Sequence, residues 1–137
     1  RLKMQTLDFS GNSLAGGGEL LAEVMGAPVL EELCLAHCGL EFEDVEAVAQ
    51  ELPFTSLRSL QLAGNDLAAA GLKVLSEHLP KCRLDVLGLE RNGLKSEDLS
   101  CLGQAWAKRP FSRLRLSGNQ MSDEELKAFI DTLRSLA

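Results

Sequence analysis

Apolar and polar positions along the chain follow one frame that recurs from end to end. The frame reads Leu-x-x-Leu-x-Leu-x-x-Asn-x-Leu, with other apolar residues in some of the leucine positions. Its asparagine position, called the Asn slot below, is occupied in chain order by Asn12, Cys38, Asn65, Asn92 and Asn119. Successive slots are 27 residues apart from Cys38 onward, and the first two are 26 apart. Such a period predicts a stack of similar units that share one continuous core.

The central apolar residues of each frame alternate with other residues, which is the pattern of a short β-strand with one buried face. The inward pairs are predicted to be Leu7 with Phe9, Leu33 with Leu35, Leu60 with Leu62, Leu87 with Leu89, and Leu114 with Leu116. The residues between them should point away from the core.

Beyond each Asn slot the apolar spacing changes to i, i+3, i+7, which is one face of an α-helix. The predicted stripes are Val45, Val48 and Leu52; Leu72, Leu75 and Leu79; Leu99, Leu102 and Trp106; and Leu126, Phe129 and Leu133. The first unit is one residue shorter, and its predicted stripe is Leu20, Leu21 and Val24. Pro53 and Pro80 lie at equivalent positions and should end the second and third helices.

A strand and a helix in every unit predict an α/β fold. We expect a right-handed solenoid of about five repeats, with a parallel sheet on the concave face and α-helices on the convex face. The repeats are expected at residues 4–29, 30–56, 57–83, 84–110 and 111–137, within one domain. The apolar residues of the terminal repeats have no neighbour to cover them, so we expect a fragment of a larger protein, flanked by further domains of its own chain.

The residue in the Asn slot follows the strand where the chain must turn without a sheet partner. An asparagine amide can donate to and accept from nearby backbone groups, so the slots should form a ladder of buried hydrogen bonds. Cys38 offers only a weak S–H donor. Its turn is therefore predicted to be the least well satisfied of the five.

Composition and charge narrow the classes of partner. The net charge is −6 and the positive residues form no clustered stripe, which argues against nucleic acid or a membrane as partner. No run approaches the roughly 18 apolar residues of a membrane-spanning helix. Four cysteines at irregular spacings fit reduced thiols, which predicts a cytoplasmic location, with the nucleus as the alternative.

The outward strand positions form the candidate binding surface. Its predicted partner-binding residues are Asp8, Glu32, Gln61, Val86, Glu90, Arg113 and Arg115. The surface runs from acidic to basic, and about 14 Å should separate Glu32 from Arg113 across three strand spacings. Gly88 and Ala63 should allow close approach of a helix or an extended peptide. The alternative is a solvated sheet with no partner.

Other candidate sites are weaker. Cys34, His37 and Cys38 suggest a metal site, but strand alternation separates them and no fourth ligand is near, so no metal is expected. The Gly16–Gly18 run lacks the lysine of a phosphate-binding loop, and no catalytic group or cofactor site is predicted. The acidic run from Glu41 to Glu46 fits the start of a helix, where carboxylates complement the helix dipole. Docking of a basic partner on the convex edge is its alternative role.

The frame, the period and the helix in each unit resemble the ribonuclease-inhibitor-like class of leucine-rich repeats. The stretch LPKCRLDVLGL, residues 79–89, is similar to repeats of that inhibitor and of NOD-like innate immune receptors. The resemblance covers essentially the whole chain and implies an intracellular protein-binding domain. The same repeat also serves actin-capping proteins, the GTPase activator of Ran, scaffolds and bacterial effectors. Four cysteines, one tryptophan and no tyrosine depart from the inhibitor, so the resemblance does not extend to ribonuclease inhibition.

These observations predict a protein–protein interaction module, not an enzyme, that recognises a protein or peptide through the concave sheet and adjoining turns. One alternative is a regulatory module of the GTPase-activator type. The resemblance to that family implies an exposed arginine and asparagine on turns of the amino-terminal repeats, whereas this chain offers Arg91 late and none early. The other alternative is a structural block that packs on a neighbouring domain.

Overall fold

A computed structural model describes residues 3–136, and strands and helices alternate through it in chain order. The strands are β1 (Thr6–Asp8), β2 (Glu32–Cys34), β3 (Ser59–Gln61), β4 (Val86–Gly88) and β5 (Arg113–Arg115). The α-helices are α1 (Gly18–Met25), α2 (Phe42–Glu51), α3 (Ala68–His78), α4 (Leu99–Lys108) and α5 (Asp123–Leu136). Short 3₁₀ segments lie at Leu52–Phe54, Leu79–Lys81 and Ser96–Asp98.

The five strands form one parallel sheet in the order β1-β2-β3-β4-β5. Each central leucine is in register with the next, so Leu7, Leu33, Leu60, Leu87 and Leu114 form one row across the sheet. The three interior members of that row are at most 1% exposed, whereas Leu7 and Leu114 on the outer strands are only partly buried. The predicted stack of units around one apolar core is therefore confirmed in its α/β composition and sheet order.

The predicted helix stripes form the other wall of the core. Val45, Leu72, Leu75, Leu99 and Leu102 are all buried at 2% exposure or less. The helices α2 and α3 end immediately before the 3₁₀ segments that contain the two equivalent prolines, as the fixed φ and missing N–H of proline require.

The stripe predicted for the first helix is wrong in one residue. Leu20 is 63% exposed, while Leu21 and Met25 are buried and Val24 is partly buried. The first unit has one residue fewer between its slot and its buried helix positions, so Gly18, Leu21 and Met25 are the equivalents of Val45, Val48 and Leu52 in the second unit.

The amides in the Asn slot connect each turn to the turn before it. Asn92 Oδ1 accepts from the backbone N–H groups of Asn65 (3.0 Å) and Leu67 (3.2 Å) of the preceding unit. Its Nδ2 donates to Leu62 O, directly after the strand of the preceding unit, and to Glu90 O of its own unit, both at 3.0 Å. Asn65 and Asn119 repeat this arrangement. The predicted ladder is confirmed.

The expectation for Cys38 is corrected by the direction of the ladder. The Cys38 turn is itself well satisfied, because Asn65 Oδ1 accepts from Cys38 N at 3.0 Å and Leu40 N at 3.2 Å. Cysteine has no amide oxygen to accept from the turn of the first unit. There, Leu14 N donates to the backbone oxygen of Cys38 instead. The Cys38 thiol does supply the donor, to Phe9 O at 3.2 Å, and burial raises the pKa of this thiol, which keeps it protonated.

The ladder predicts a large difference between slots of the same residue type. Asn92→Ala should lower the free energy of unfolding by at least about 2 kcal/mol, because several buried backbone groups lose their partners. Asn12 is exposed and its side chain makes one hydrogen bond, to Phe9 O, so Asn12→Ala should cost less than about 1 kcal/mol. Urea denaturation of both variants measures this difference, and equal losses would contradict a ladder that acts on preceding turns.

Candidate functional site

The side of the sheet that faces away from the helices, called the sheet face below, carries two rows of side chains. The register places the first row at Thr6, Glu32, Ser59, Val86 and Arg113, and the second at Asp8, Cys34, Gln61, Gly88 and Arg115. The predicted order from acidic to basic is therefore present across the strands. Three strand spacings separate Glu32 from Arg113, which is about 14 Å.

The acidic end of the sheet face is held by internal hydrogen bonds. Ser10 N donates to Asp8 Oδ1 at 2.9 Å, and the Ser10 hydroxyl lies 2.8 Å from Cys34 Sγ. Hydrogen bonding to Ser10, through its hydroxyl and then its backbone N–H, lowers the pKa of Asp8. Thr6 Oγ1 donates to Glu32 Oε2 at 3.4 Å. These hydrogen bonds position both carboxylates before any partner arrives, and the lowered pKa keeps Asp8 ionised at neutral pH.

The centre of the sheet face is already filled by one of its own side chains. Gln61 Oε1 accepts from Ala63 N at 2.9 Å, and its amide lies over Gly88 where a Cβ atom would otherwise stand. Gly88 and Ala63 are consequently buried. The expectation of a close approach at Gly88 is wrong, because the Gln61 amide occupies the space that this glycine leaves.

The basic end differs from the acidic end in having exposed and unpaired charges. Arg113 and Arg115 are both exposed, and within residues 3–136 neither has a carboxylate oxygen inside 4.0 Å. Glu90 lies just beyond β4 and is partly buried. Its Oε1 atom is shielded from solvent and has no hydrogen-bond partner in the described structure.

A depression of about 330 Å³ lies across the sheet face. Its lining includes five of the seven predicted binding residues, namely Asp8, Glu32, Gln61, Val86 and Arg115. Arg113 and Glu90 are not part of the lining. The structure thus brings most of the predicted set to one surface.

The turns beside the sheet contain a feature that the periodicity analysis missed. The residue directly before the Asn slot has positive φ in every unit, namely Gly11, His37, Gly64, Arg91 and Gly118. The side chain of His37 lies over Gly64, and that of Arg91 lies over Gly118, so a Cβ atom on either glycine would clash. The signal was present in the sequence, because glycine directly precedes the Asn slot in three of the five units.

The acidic run before and within α2 has an internal partner. Asp44 is 4% exposed and accepts hydrogen bonds at 2.9 Å from three backbone N–H groups, those of Gly16, Gly18 and Glu41. Burial acts to raise the pKa of the Asp44 carboxyl group, but these donors outweigh burial and the pKa is lowered. Glu41 and Glu43 remain exposed. Asp44 therefore ties the first unit to the second and is not available to a basic partner.

The cysteines and histidine considered for a metal site have separate contacts. Cys34 faces Ser10 on the sheet, while Cys38 faces the core and Phe9 O. No cluster of metal-binding side chains is found in residues 3–136. Over the same residues, no helix has the length and apolar character needed to cross a membrane.

Comparison with known proteins supports the repeat assignment. A family model described as Leucine Rich repeat matches residues 55–76, which contain β3, the Asn65 turn and most of α3. Repeats of this family commonly mediate protein–protein interaction and are typically non-enzymatic binding modules. No curated protein shows significant similarity to the chain.

The contacts of Asp44 predict a pH-dependent contribution to stability. Asp44→Asn replaces one acceptor oxygen by a donor, so it should lower the free energy of unfolding at pH 7 by about 1.5–3 kcal/mol. Because the folded pKa is lowered, the wild-type advantage is complete above the ordinary aspartate pKa near 4 and is lost as pH falls through the folded value.

Thermal unfolding of the Asp44→Asn variant and the wild type between pH 7 and pH 2 measures this contribution. The exposed neighbour provides the control, and Glu43→Gln should leave the melting temperature nearly unchanged. A gap between wild type and Asp44→Asn that persists unchanged at pH 2 would contradict the role of the carboxylate charge.

Proposed function

We propose that this chain is a protein-binding module that recognises a protein or peptide through its sheet face. One observation carries the proposal. Leucine occupies the central inward position of every strand, whereas the outward residues flanking it differ from strand to strand. The core constrains the inward position equally in all units, while nothing in the packing requires the outward variety. A surface that is specified residue by residue is what recognition needs.

The dimensions of the sheet face favour a macromolecular partner over a small molecule. Its depression extends across all five strands, from Asp8 on β1 to Arg115 on β5. Four strand spacings separate Asp8 from Arg115, which is about 19 Å. An extended peptide of about six residues covers that distance. Large aromatic anchors are absent from the two rows, which favours modest affinity.

We further propose the ribonuclease-inhibitor-like subtype of the leucine-rich repeat family and a place within a larger intracellular protein. Support for the subtype comes from the 27-residue spacing and from an α-helix after every strand. In this proposal the sheet lines the concave face of a right-handed arc of about five repeats. The domain would supply the sensor or scaffold function of its parent protein.

The GTPase-regulator alternative is less well supported by the turns. Arg91 is the arginine available on the turn edge, and its side chain packs over Gly118. That contact gives Arg91 a packing role and accounts for its presence without a catalytic partner. The structural-block alternative requires that a neighbouring domain covers the sheet face permanently.

Reversing the basic end is the direct test of the sheet-face proposal. Crosslinking with mass spectrometry identifies proteins retained by the immobilised chain. The affinity of each retained protein is then measured for the wild type and for the Arg113→Glu/Arg115→Glu variant. Binding of a true sheet-face partner should weaken more than about tenfold, since each lost charge-assisted hydrogen bond is worth about 1.5–3 kcal/mol. Stability should change little, because both side chains are exposed.

The helical face supplies a control of the same charge change. Lys73 and Lys127 are exposed on α3 and α5, so Lys73→Glu/Lys127→Glu changes the net charge equally and should preserve binding. If the lysine variant loses the partner and the arginine variant keeps it, the partner binds the helices and the sheet-face proposal is overturned.

A further inference from the structure

The charged side chains at the acidic end of the sheet face already have hydrogen-bond partners within the chain, whereas those at the basic end have none among the residues that the structure describes. This difference indicates what kind of partner the face binds. At the acidic end, Asp8 already accepts from Ser10 and Glu32 accepts from Thr6. At the other end, Arg113 and Arg115 make no ion pair within the described residues. New charge-assisted hydrogen bonds are therefore available mainly at the arginines.

The chemistry of the two arginines selects the group that they can hold. They stand two residues apart on β5 and point to the same side, so their Cα atoms lie about 6.7 Å apart. A guanidinium group forms two parallel hydrogen bonds with a carboxylate. Both arginine side chains are long, and each exposed guanidinium group can hold one carboxylate in this way, so the pair suits a segment that carries two acidic side chains.

The centre and the acidic end of the sheet face indicate which other residues a bound protein segment should carry. The depression is lined at its centre by Val86 and by the fixed amide of Gln61, neither of which carries a charge. Asp8 and Glu32, at the acidic end of the same depression, repel anions and attract a lysine or arginine. A nucleic acid strand is disfavoured, because its phosphates would meet these two carboxylates.

We infer, on the basis of the proposed sheet-face function, that the partner is an acidic–neutral–basic protein segment lying across the strands. A pair of acidic side chains binds Arg113 and Arg115. An uncharged stretch crosses Val86 and Gln61, and a basic residue reaches Asp8 and Glu32. The acidic pair supplies most of the affinity, because the arginines have no other partner in the described structure. The basic residue sets the direction in which the segment lies.

A random peptide display library, with peptides about twelve residues long, tests this charge order on the folded chain. Enriched peptides should carry two acidic residues and one basic residue separated by about four to six positions, which spans 14–19 Å in an extended peptide. Selection on Arg113→Gln/Arg115→Gln should enrich peptides that lack the acidic pair. Selection on Asp8→Asn/Glu32→Gln should enrich peptides that lack the basic residue. The Lys73→Gln/Lys127→Gln control should retain the original pattern.

Measuring the affinity of one enriched peptide for the same variants shows which end of the sheet face contributes more to binding. The arginine variant should bind it more than about tenfold more weakly than wild type, and the Asp8/Glu32 variant should show a smaller loss. Circular dichroism and thermal melting confirm that each variant is folded. A larger loss at the acidic end would overturn the inference.

The outcomes separate the inference from the function on which it rests. Sheet-face peptides without an ordered acidic pair and basic residue, unaffected by the arginine variant, would overturn the inference and leave the proposed function standing. Enrichment only of peptides that the sheet-face variants do not affect, but the lysine variant does, would overturn both.

Discussion

The asparagine ladder is the interaction on which the rest of this structure depends. A turn that leaves a three-residue strand and enters a helix exposes backbone groups which its own unit cannot pair. Asn65, Asn92 and Asn119 each place one amide so that it accepts from the preceding turn and donates to the residue directly after the preceding strand. Buried polar groups are thereby satisfied across every boundary between interior units, and the units are locked one period apart.

The same ladder explains how the chain tolerates cysteine in one slot. Cys38 keeps the donor function through its thiol and lacks the acceptor function, so Leu14 N donates to a backbone carbonyl instead. A second tie between the first two units comes from Asp44, whose buried carboxylate binds the glycine loop before α1. The first unit is therefore held by a different set of contacts from the interior units, although its strand joins the sheet in the same register.

Register is the link between this ladder and recognition. Because one leucine in each strand must face the core, its two neighbours must face away, and the sheet aligns them into two rows. The charges of those rows are arranged from Asp8 and Glu32 to Arg113 and Arg115 without serving the core. The hydrogen bonds of Ser10, Thr6 and Gln61 hold part of this surface in place, which reduces the entropy lost when a partner binds.

The sequence by itself determined the unit, the inward leucines, the slots of the ladder and the end-to-end charge order of the sheet face. Each of these follows from periods of 2, 3.6 and 27 residues that local geometry imposes. Only the tertiary structure decided that Asp44 is an internal ligand, that Leu20 faces outward and that Gln61 covers Gly88. Their contacts join residues of adjacent units, such as Asp44 with the loop 26 to 28 residues before it. No local period specifies which of several acidic or amide side chains will reach across that boundary, because the choice depends on the distance between packed neighbours.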